Sequence, residues 1–372
     1  MKTPLRVGLV AGSLNVEHLR GMGRYLLDMS SRTRAGDALS WVLFGDDPRQ
    51  PMHLPEGVPA KADVFEFKGH RFRLWEQIGV PQRGLRHGVD LLHYAENTMA
   101  WWQPVPSVVT VHDTLPWESG QPSFYWDRLL PAALHRCAHV ITISENSRLD
   151  ILKHWPALAS KLTVIPHGIA DAYFADDHPA GSAALDQALG GRPYLVYLGG
   201  PMARKRFDWA LDVLAHTPLP GLQLVACGFG ESARPEAERQ VPEPLRGRVH
   251  FAPFISDDEL RALYRGARAV LYPTLYEGFG FPAVEAQASG VPALFSALGS
   301  LGELVGPLAW VLPPHDRQAW VAKVQEAVAL PYAVRAELTQ QARHWARRFQ
   351  WRESYRKHLA VYEQVAQRAN IE

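Results

Sequence analysis

Glu277 and Glu285 stand eight positions apart, on either side of the run Gly278-Phe279-Gly280-Phe281-Pro282. Ionised carboxylates accept several hydrogen bonds and can hold the vicinal hydroxyls of a sugar or ribose, while glycines let the backbone come close to a ligand. Pro282 suits a first helical position, and a helix start adds unpaired N–H groups and partial positive charge, a seat for phosphate. Hydroxyl-binding acids beside a phosphate-binding helix start together fit a sugar nucleotide. A plainer reading leaves Glu285 complementing the helix dipole and Glu277 solvated in a loop. Upstream, Arg204 and Lys205 follow the turn Gly199-Gly200-Pro201. Such a pair can neutralise a diphosphate leaving group, arginine through a bidentate fork and lysine as a point charge. As an exposed basic helix start the same pair would oppose the dipole. In Thr110-Val111-His112-Asp113-Thr114, His112 can hydrogen-bond a sugar or position an acceptor, with Asp113 orienting its ring. The alternative is an Asx turn at Asp113, with His112 filling space.

Parallel strands must carry these residues at their carboxyl ends. Apolar, β-branched runs predict strands at Leu5–Val10, Leu39–Phe44, Val64–Phe67, Val89–Tyr94, Val108–Val111, Val140–Ile143 and Leu162–Ile165. Helical patterns at Gly23–Ser31, Phe124–Arg136 and Glu145–His154 alternate with them, which implies a doubly wound parallel sheet. Asp176–Pro193 is loose and rich in Ala, Gly, Asp and Pro, and reads as a linker. A second series follows: Tyr194–Leu198, Leu222–Ala226, Val249–Phe251, Ala269–Tyr272, Pro292–Phe295 and Trp310–Leu312. After His315 the chain reads as helical to the end, divided at Pro331.

The 372 residues allow two domains of ordinary size, and 47% hydrophobic with 21% charged content fits a globular enzyme. A net charge of +1 points to no nucleic-acid partner. The two cysteines, Cys137 and Cys227, have no disulfide or zinc spacing, as expected of a reducing cytoplasm. MKTPLRVGLVAGS is strand-like rather than a signal peptide, and no apolar run reaches about 18 residues, so membrane contact is expected to be peripheral at most. Lys68, Arg71, Arg73, Arg83 and Arg86, interleaved with Phe72 and Trp75, form a basic-aromatic stretch within residues 68–87. Such a stretch can rest on anionic headgroups at the inner membrane face, bind an acidic acceptor, or be solvated surface.

Glu277-x7-Glu285 with Phe279-Gly280 resembles the signature of the retaining glycosyltransferases of family 4. The run 278–283 also fits the G-x-G-x-x-A dinucleotide fingerprint, but the following strand ends at Ser296 without the acid that fingerprint wants. The resemblance implies a GT-B fold: two doubly wound Rossmann-like α/β domains facing each other across a cleft. It implies an acceptor-binding domain over residues 1–180, a nucleotide-sugar-binding domain over 190–350, and a C-terminal helix, 352–372, packing back on the first.

The same resemblance places Lys205 on the donor diphosphate, with Arg204 as its partner, Glu285 on the ribose and Glu277 on the transferred sugar, with Phe279, Gly280 and Phe281 among the substrate-binding residues. Some members carry Arg where this chain has Gly200. Gly228 and Phe254 resemble nucleotide-facing loops, Gly12 and Gly23 the glycine-rich loop near donor phosphates or acceptor, and His112 the family's histidine at a strand end. Implied too is a retaining hexosyl transfer from a nucleoside diphosphate sugar, GDP-mannose favoured, to a glycan or lipid-linked acceptor, as in cell-surface polysaccharide synthesis. No Asp-x-Asp triplet occurs, so neither metal nor other cofactor is expected. A nucleotide-sugar epimerase, or a nucleotide-sugar-binding protein without transferase activity, would use similar carboxylates.

Overall fold

A computed structural model describes residues 4–369 apart from 18, 20, 34–36, 38, 68–73, 119–122, 176, 178, 253 and 254. The chain divides into two compact units, Met1–Ala170 with Phe349–Glu372, and Asp171–Arg348.

Unit 1 is built on β1 (Leu5–Val10), β2 (Leu39–Gly45), β3 (Ala60–Val64), β4 (Leu91–Tyr94), β5 (Ser107–Val111), β6 (His139–Thr142) and β7 (Leu162–Val164). They pair in the order β3-β2-β1-β4-β5-β6-β7, every pair parallel. Unit 2 repeats the plan with β8 (Tyr194–Leu198), β9 (Gln223–Cys227), β10 (Val249–Phe251), β11 (Ala269–Tyr272), β12 (Ala293–Phe295) and β13 (Ala309–Val311), in the order β10-β9-β8-β11-β12-β13. All its pairs are parallel too. Helices on both faces of such a sheet bury both sides of each central strand, and β4, β5, β9, β11 and β12 are buried throughout. Counted from its own first strand, the unit 2 sheet reads 3-2-1-4-5-6, the dinucleotide-binding order, and the unit 1 sheet reads the same with a seventh strand added at the end. Ligands in such sheets bind beyond the carboxyl ends of strands 1 and 4, where the order reverses.

Three local readings are corrected. The third strand runs Ala60–Val64, not Val64–Phe67. AKADV has little strand propensity of its own, and its register against Trp41–Gly45 of β2 makes it a strand. The stretch 176–193 is not a bare linker, since Ala183–Leu189 is helical, buries Leu185 and Leu189 and closes on Gly190 at φ 56°. Arg204 and Lys205 do not open a helix. They lie in a 3-10 turn, Ala203–Lys205, and Arg206 at φ 57° separates that turn from the helix Phe207–His216.

The helix Trp351–Ala369 belongs to unit 1. Tyr362 OH meets His93 Nδ1 of β4 at 2.8 Å, and His358 Nε2 lies 3.4 Å from Tyr25 OH in the helix Gly21–Ser30. At Gly168 a Cβ would fall 2.4 Å from the Trp351 nitrogen, so a glycine is what lets the returning chain approach.

Candidate active site

In unit 2 the loops after β8 and β11 meet at the reversal point. Glu277, 8% exposed, is the centre. Its Oε1 accepts from Lys205 Nζ, from Arg204 Nη1 at 3.0 Å and from Thr274 Oγ1 at 2.9 Å. Arg204 Nη1 also donates to the Tyr276 carbonyl, and its own carbonyl takes the Leu275 N–H at 2.9 Å. Lys205 Nζ reaches Tyr272 OH at 3.2 Å. Burial pulls the lysine below its ordinary range, against the pull of Glu277 the other way. Two cations and one carboxylate leave the cluster one charge positive. A partly desolvated, fixed positive group of this kind is suited to charge developing on a departing oxygen.

Glycines let the loops close up. Gly200, at φ 63°, has no room for a Cβ, which would sit 2.5 Å from the Gly228 carbonyl, and Gly228 itself has φ 91°. The arginine found at Gly200 in some family members therefore cannot be accommodated on this backbone. Gly280, at φ 107°, precedes the helix Phe281–Ala288, and a Cβ there would strike Leu301 Cδ2 at 2.5 Å.

Of the other residues expected on this unit, Phe279 and Glu285 are described. Phe279 is buried and meets Phe281 edge to face at 5.1 Å, so its contribution to the loop is packing. Glu285 lies on the same helix and accepts from Tyr264 OH at 3.0 Å. Phe254 lies outside the described residues. Ser300 is a residue that sequence reasoning missed: buried, it donates to the carbonyls of Glu277 at 2.7 Å and Phe279 at 2.8 Å, tying down the loop. No motif marks it.

In unit 1, His112 follows β5 and is buried. Its Nε2 lies 2.8 Å from the Ala95 carbonyl, which only accepts, so Nε2 carries the hydrogen. Nδ1 then accepts from His167 Nε2 at 3.2 Å. The backbone of His112 is bonded on both sides, its N–H to Asn97 Oδ1 at 2.5 Å and its carbonyl from Ser147 Oγ at 2.9 Å. Burial pushes the imidazole down to about 4, so it is neutral at pH 7. In this state both ring nitrogens serve the protein, and contact with a sugar requires one of these bonds to be exchanged. Asp113 Oδ1 accepts the Leu115 N–H at 3.2 Å, the Asx-turn geometry. Gly12 opens a 3-10 turn, Gly12–Leu14, after β1, and a Cβ on Gly23 would fall 2.4 Å from the Ser13 carbonyl, so Gly23 seats its helix on that turn. His167 and Asn97 were not legible as site residues. Asn97, at φ 62°, and Arg206 are the two non-glycine residues with positive φ among the described residues, and each adjoins a candidate site.

Within residues 68–87, Arg83 Nη1 pairs with Asp63 at 2.8 Å and stacks over Phe65, and Trp75 is buried. Lys68, Arg71, Phe72 and Arg73 lie outside the described residues.

Residues 19–173 match the family described as Glycosyltransferase Family 4, and residues 186–345 match Glycosyl transferases group 1. The O-antigen chain mannosyltransferase RfbU of Salmonella typhimurium is 26% identical over 229 residues, 61% of this chain and 62% of that protein. A D-inositol 3-phosphate glycosyltransferase of Xylanimonas cellulosilytica is 32% identical over 232 residues, 59% of this chain and 55% of that one. The matches thus span 55–62% of the length of these curated relatives. Among solved structures, HepE of Anabaena, in complex with UDP and glucose, shares the fold with a TM-score of 0.74 at 19% identity, over 99% of this chain and 100% of that one. Two consecutive domain matches, laid on two parallel sheets of the same strand order, make this chain a member of glycosyltransferase family 4 with the GT-B fold.

Proposed function

We propose that the chain is a retaining hexosyltransferase that moves a sugar from a nucleoside diphosphate donor to a glycan or lipid-linked saccharide. The observation that carries the reading is the Arg204–Lys205–Glu277 cluster at the reversal point of the unit 2 sheet. The donor lies mainly on unit 2 and the acceptor on unit 1. Glu285 holds the ribose hydroxyls, and Arg204 and Lys205 face the diphosphate together with the N–H groups at the start of the helix Phe281–Ala288. As the bond to the sugar breaks, negative charge grows on the leaving diphosphate, and these fixed groups meet it without reorganising. Glu277 holds both cations in place and takes a sugar hydroxyl with its remaining capacity. Charge neutralisation by side chains requires no metal.

The mannosyltransferase relative favours a mannose donor, and with it GDP-mannose. The UDP and glucose held by HepE make UDP-glucose the second donor to test. Thermal shift against a panel of sugar nucleotides identifies the donor, because a ligand at 100 times its dissociation constant stabilises by about 2.7 kcal/mol. Transfer of the labelled sugar then tests the reaction. Lys205→Ala should slow it at least tenfold, since a lost charge-assisted bond costs about 1.5–3 kcal/mol, and EDTA should leave the wild type unaffected. Activity lost to EDTA and restored by Mg²⁺ or Mn²⁺ would overturn the metal-free account. No stabilisation by any sugar nucleotide would overturn the donor site.

A further inference from the structure

We infer that Tyr264 positions Glu285 for the ribose, and that the pair makes the site select ribonucleoside diphosphate sugars over their 2′-deoxy counterparts. The inference rests on the donor reading above and adds to it a positioning residue and a specificity. Glu285 by itself is a poor selector. It is half-buried in the helix Phe281–Ala288, and a glutamate side chain has three rotatable bonds. Vicinal hydroxyls must meet acceptor lone pairs that point in a set direction, and ordering a mobile carboxylate at the moment of binding would weaken the contact.

Tyr264 removes that freedom. Its hydroxyl donates to Glu285 Oε2 at 3.0 Å. Burial, and next the charge of Glu285, push the phenol well above its ordinary range, so the hydroxyl keeps the proton it donates.

The tyrosine is itself fixed. It is fully buried, on the helix Asp257–Gly266. A capping box closes the first turn of that helix: Ser256 Oγ accepts the Glu259 N–H at 3.2 Å, and Glu259 Oε2 accepts the Ser256 N–H at 2.8 Å. One turn before Tyr264, the buried Arg261 pairs with Asp258 at 2.8 Å and also with Asp177. The Tyr264 ring meets that of Tyr173, in the 3-10 turn Asp171–Phe174, at 6.0 Å and 65°. A donor held on packed elements and aimed at one carboxylate oxygen is the support a binding residue needs to act with precision. The 2′-hydroxyl is the group on which that precision shows, because a site built to bond a hydroxyl is left with an unpaired polar group when the hydroxyl is missing.

Calorimetry on the full chain with GDP, UDP and ADP, each beside its 2′-deoxy form, tests this. The wild type should hold the ribonucleotide of its preferred base about tenfold or more tighter than the deoxynucleotide, and Tyr264→Phe should bring the two within about threefold of each other. Both titrations of a variant use one preparation, so misfolded protein lowers the stoichiometry and leaves the ratio of affinities unmoved. A purely structural role for the phenol would leave the ratio unmoved as well. Glu285→Asp withdraws the carboxylate from Tyr264 by one methylene, leaves the buried ring in place, and should also lose the preference. A ratio kept in Tyr264→Phe or in Glu285→Asp, while Glu285→Ala abolishes it, would overturn the inference and spare the donor reading. No preference for ribose in the wild type, a ratio that survives Glu285→Ala, or no binding of any of these nucleotides would sink the placing of Glu285 on the ribose, and the inference with it.

Discussion

Glu277 has two tasks that can be told apart from those of Glu285. As a carboxylate shared by Lys205, Arg204 and Thr274 it fixes the cations, and in the proposed function its second task is to accept from a hydroxyl of the transferred sugar, which is absent from a free nucleoside diphosphate. Glu285→Ala should weaken nucleoside diphosphate and intact donor alike, by about 1–3 kcal/mol, because both carry the ribose. Glu277→Gln should leave diphosphate affinity within about threefold while cutting transfer about tenfold to a hundredfold. Calorimetry with the diphosphate, paired with turnover of the full donor, decides: equal loss of diphosphate binding in both variants would merge the two roles. A second residue-scale outcome concerns Arg206, held at φ 57° between the 3-10 turn and the helix Phe207–His216. Glycine adopts that conformation without the Cβ penalty, so Arg206→Gly should raise stability by up to about 1 kcal/mol in urea unfolding, less whatever its ion pair with Asp208 and stacking over Trp209 contribute. A loss exceeding about 1 kcal/mol would show those contacts to outweigh the strain.

The returning helix Trp351–Ala369 is locked by histidines that must stay neutral. His93 accepts or donates through both nitrogens, to Thr110 Oγ1 and Tyr362 OH, each at 2.8 Å, and burial holds it well below its ordinary pKa. His112 and His358 are each pushed down to about 4, chiefly by burial. The unfolded chain binds protons at about 6.5. Between these values it holds more protons than the folded one, so the stability contribution is complete above about pH 6.5 and is lost as pH falls toward about 4. The slope is up to about 1.4 kcal/mol per pH unit per histidine. Thermal unfolding followed from pH 7.5 to 4.5 should show this decline, with Tyr362→Phe lower by about 1–3 kcal/mol throughout because it strands a buried histidine nitrogen. A flat profile down to pH 5 would mean that the histidines are protonated without leaving their places.

At this scale, too, lie the limits of what the residues announced. A strand such as Ala269–Tyr272 was legible because both faces are buried and the run is continuously apolar. Ala60–Val64 was not, since β2 makes it a strand. Glu277, Arg204 and Lys205 each carried a visible chemistry, but their mutual bonds depend on β8 and β11 being neighbours, which sheet order decides and local spacing does not. Asn97, His167 and Ser300 act singly and at long range, with no pattern to reveal them.

For the molecule as a whole, no helix among the described residues is long and apolar enough to cross a membrane. Arg83 is engaged with Asp63 and Arg86 is exposed, while Lys68, Arg71 and Arg73 lie outside the described residues. If the stretch 68–87 rests on headgroups, anionic vesicles should recruit the protein at low salt, with each basic residue near the surface contributing about 1 kcal/mol, and added salt should release it. Arg71→Ala with Arg73→Ala and Arg86→Ala should abolish co-sedimentation, whereas Arg83→Ala should change it little. Wild-type protein that ignores phosphatidylserine vesicles at low salt would reassign the stretch to solvent.

The helix Trp351–Ala369 also sets a timetable. Unit 2 is continuous, so residues 171–348 can close their core as soon as they leave the ribosome. Unit 1, although its first 170 residues are made earlier, must wait with Tyr25 and His93 uncovered until that helix has been synthesised. The half of the enzyme translated first is thus the half completed last. A chain halted near residue 348 would hold a finished unit 2 and a unit 1 that cannot close, and that exposed state is where a chaperone would be needed.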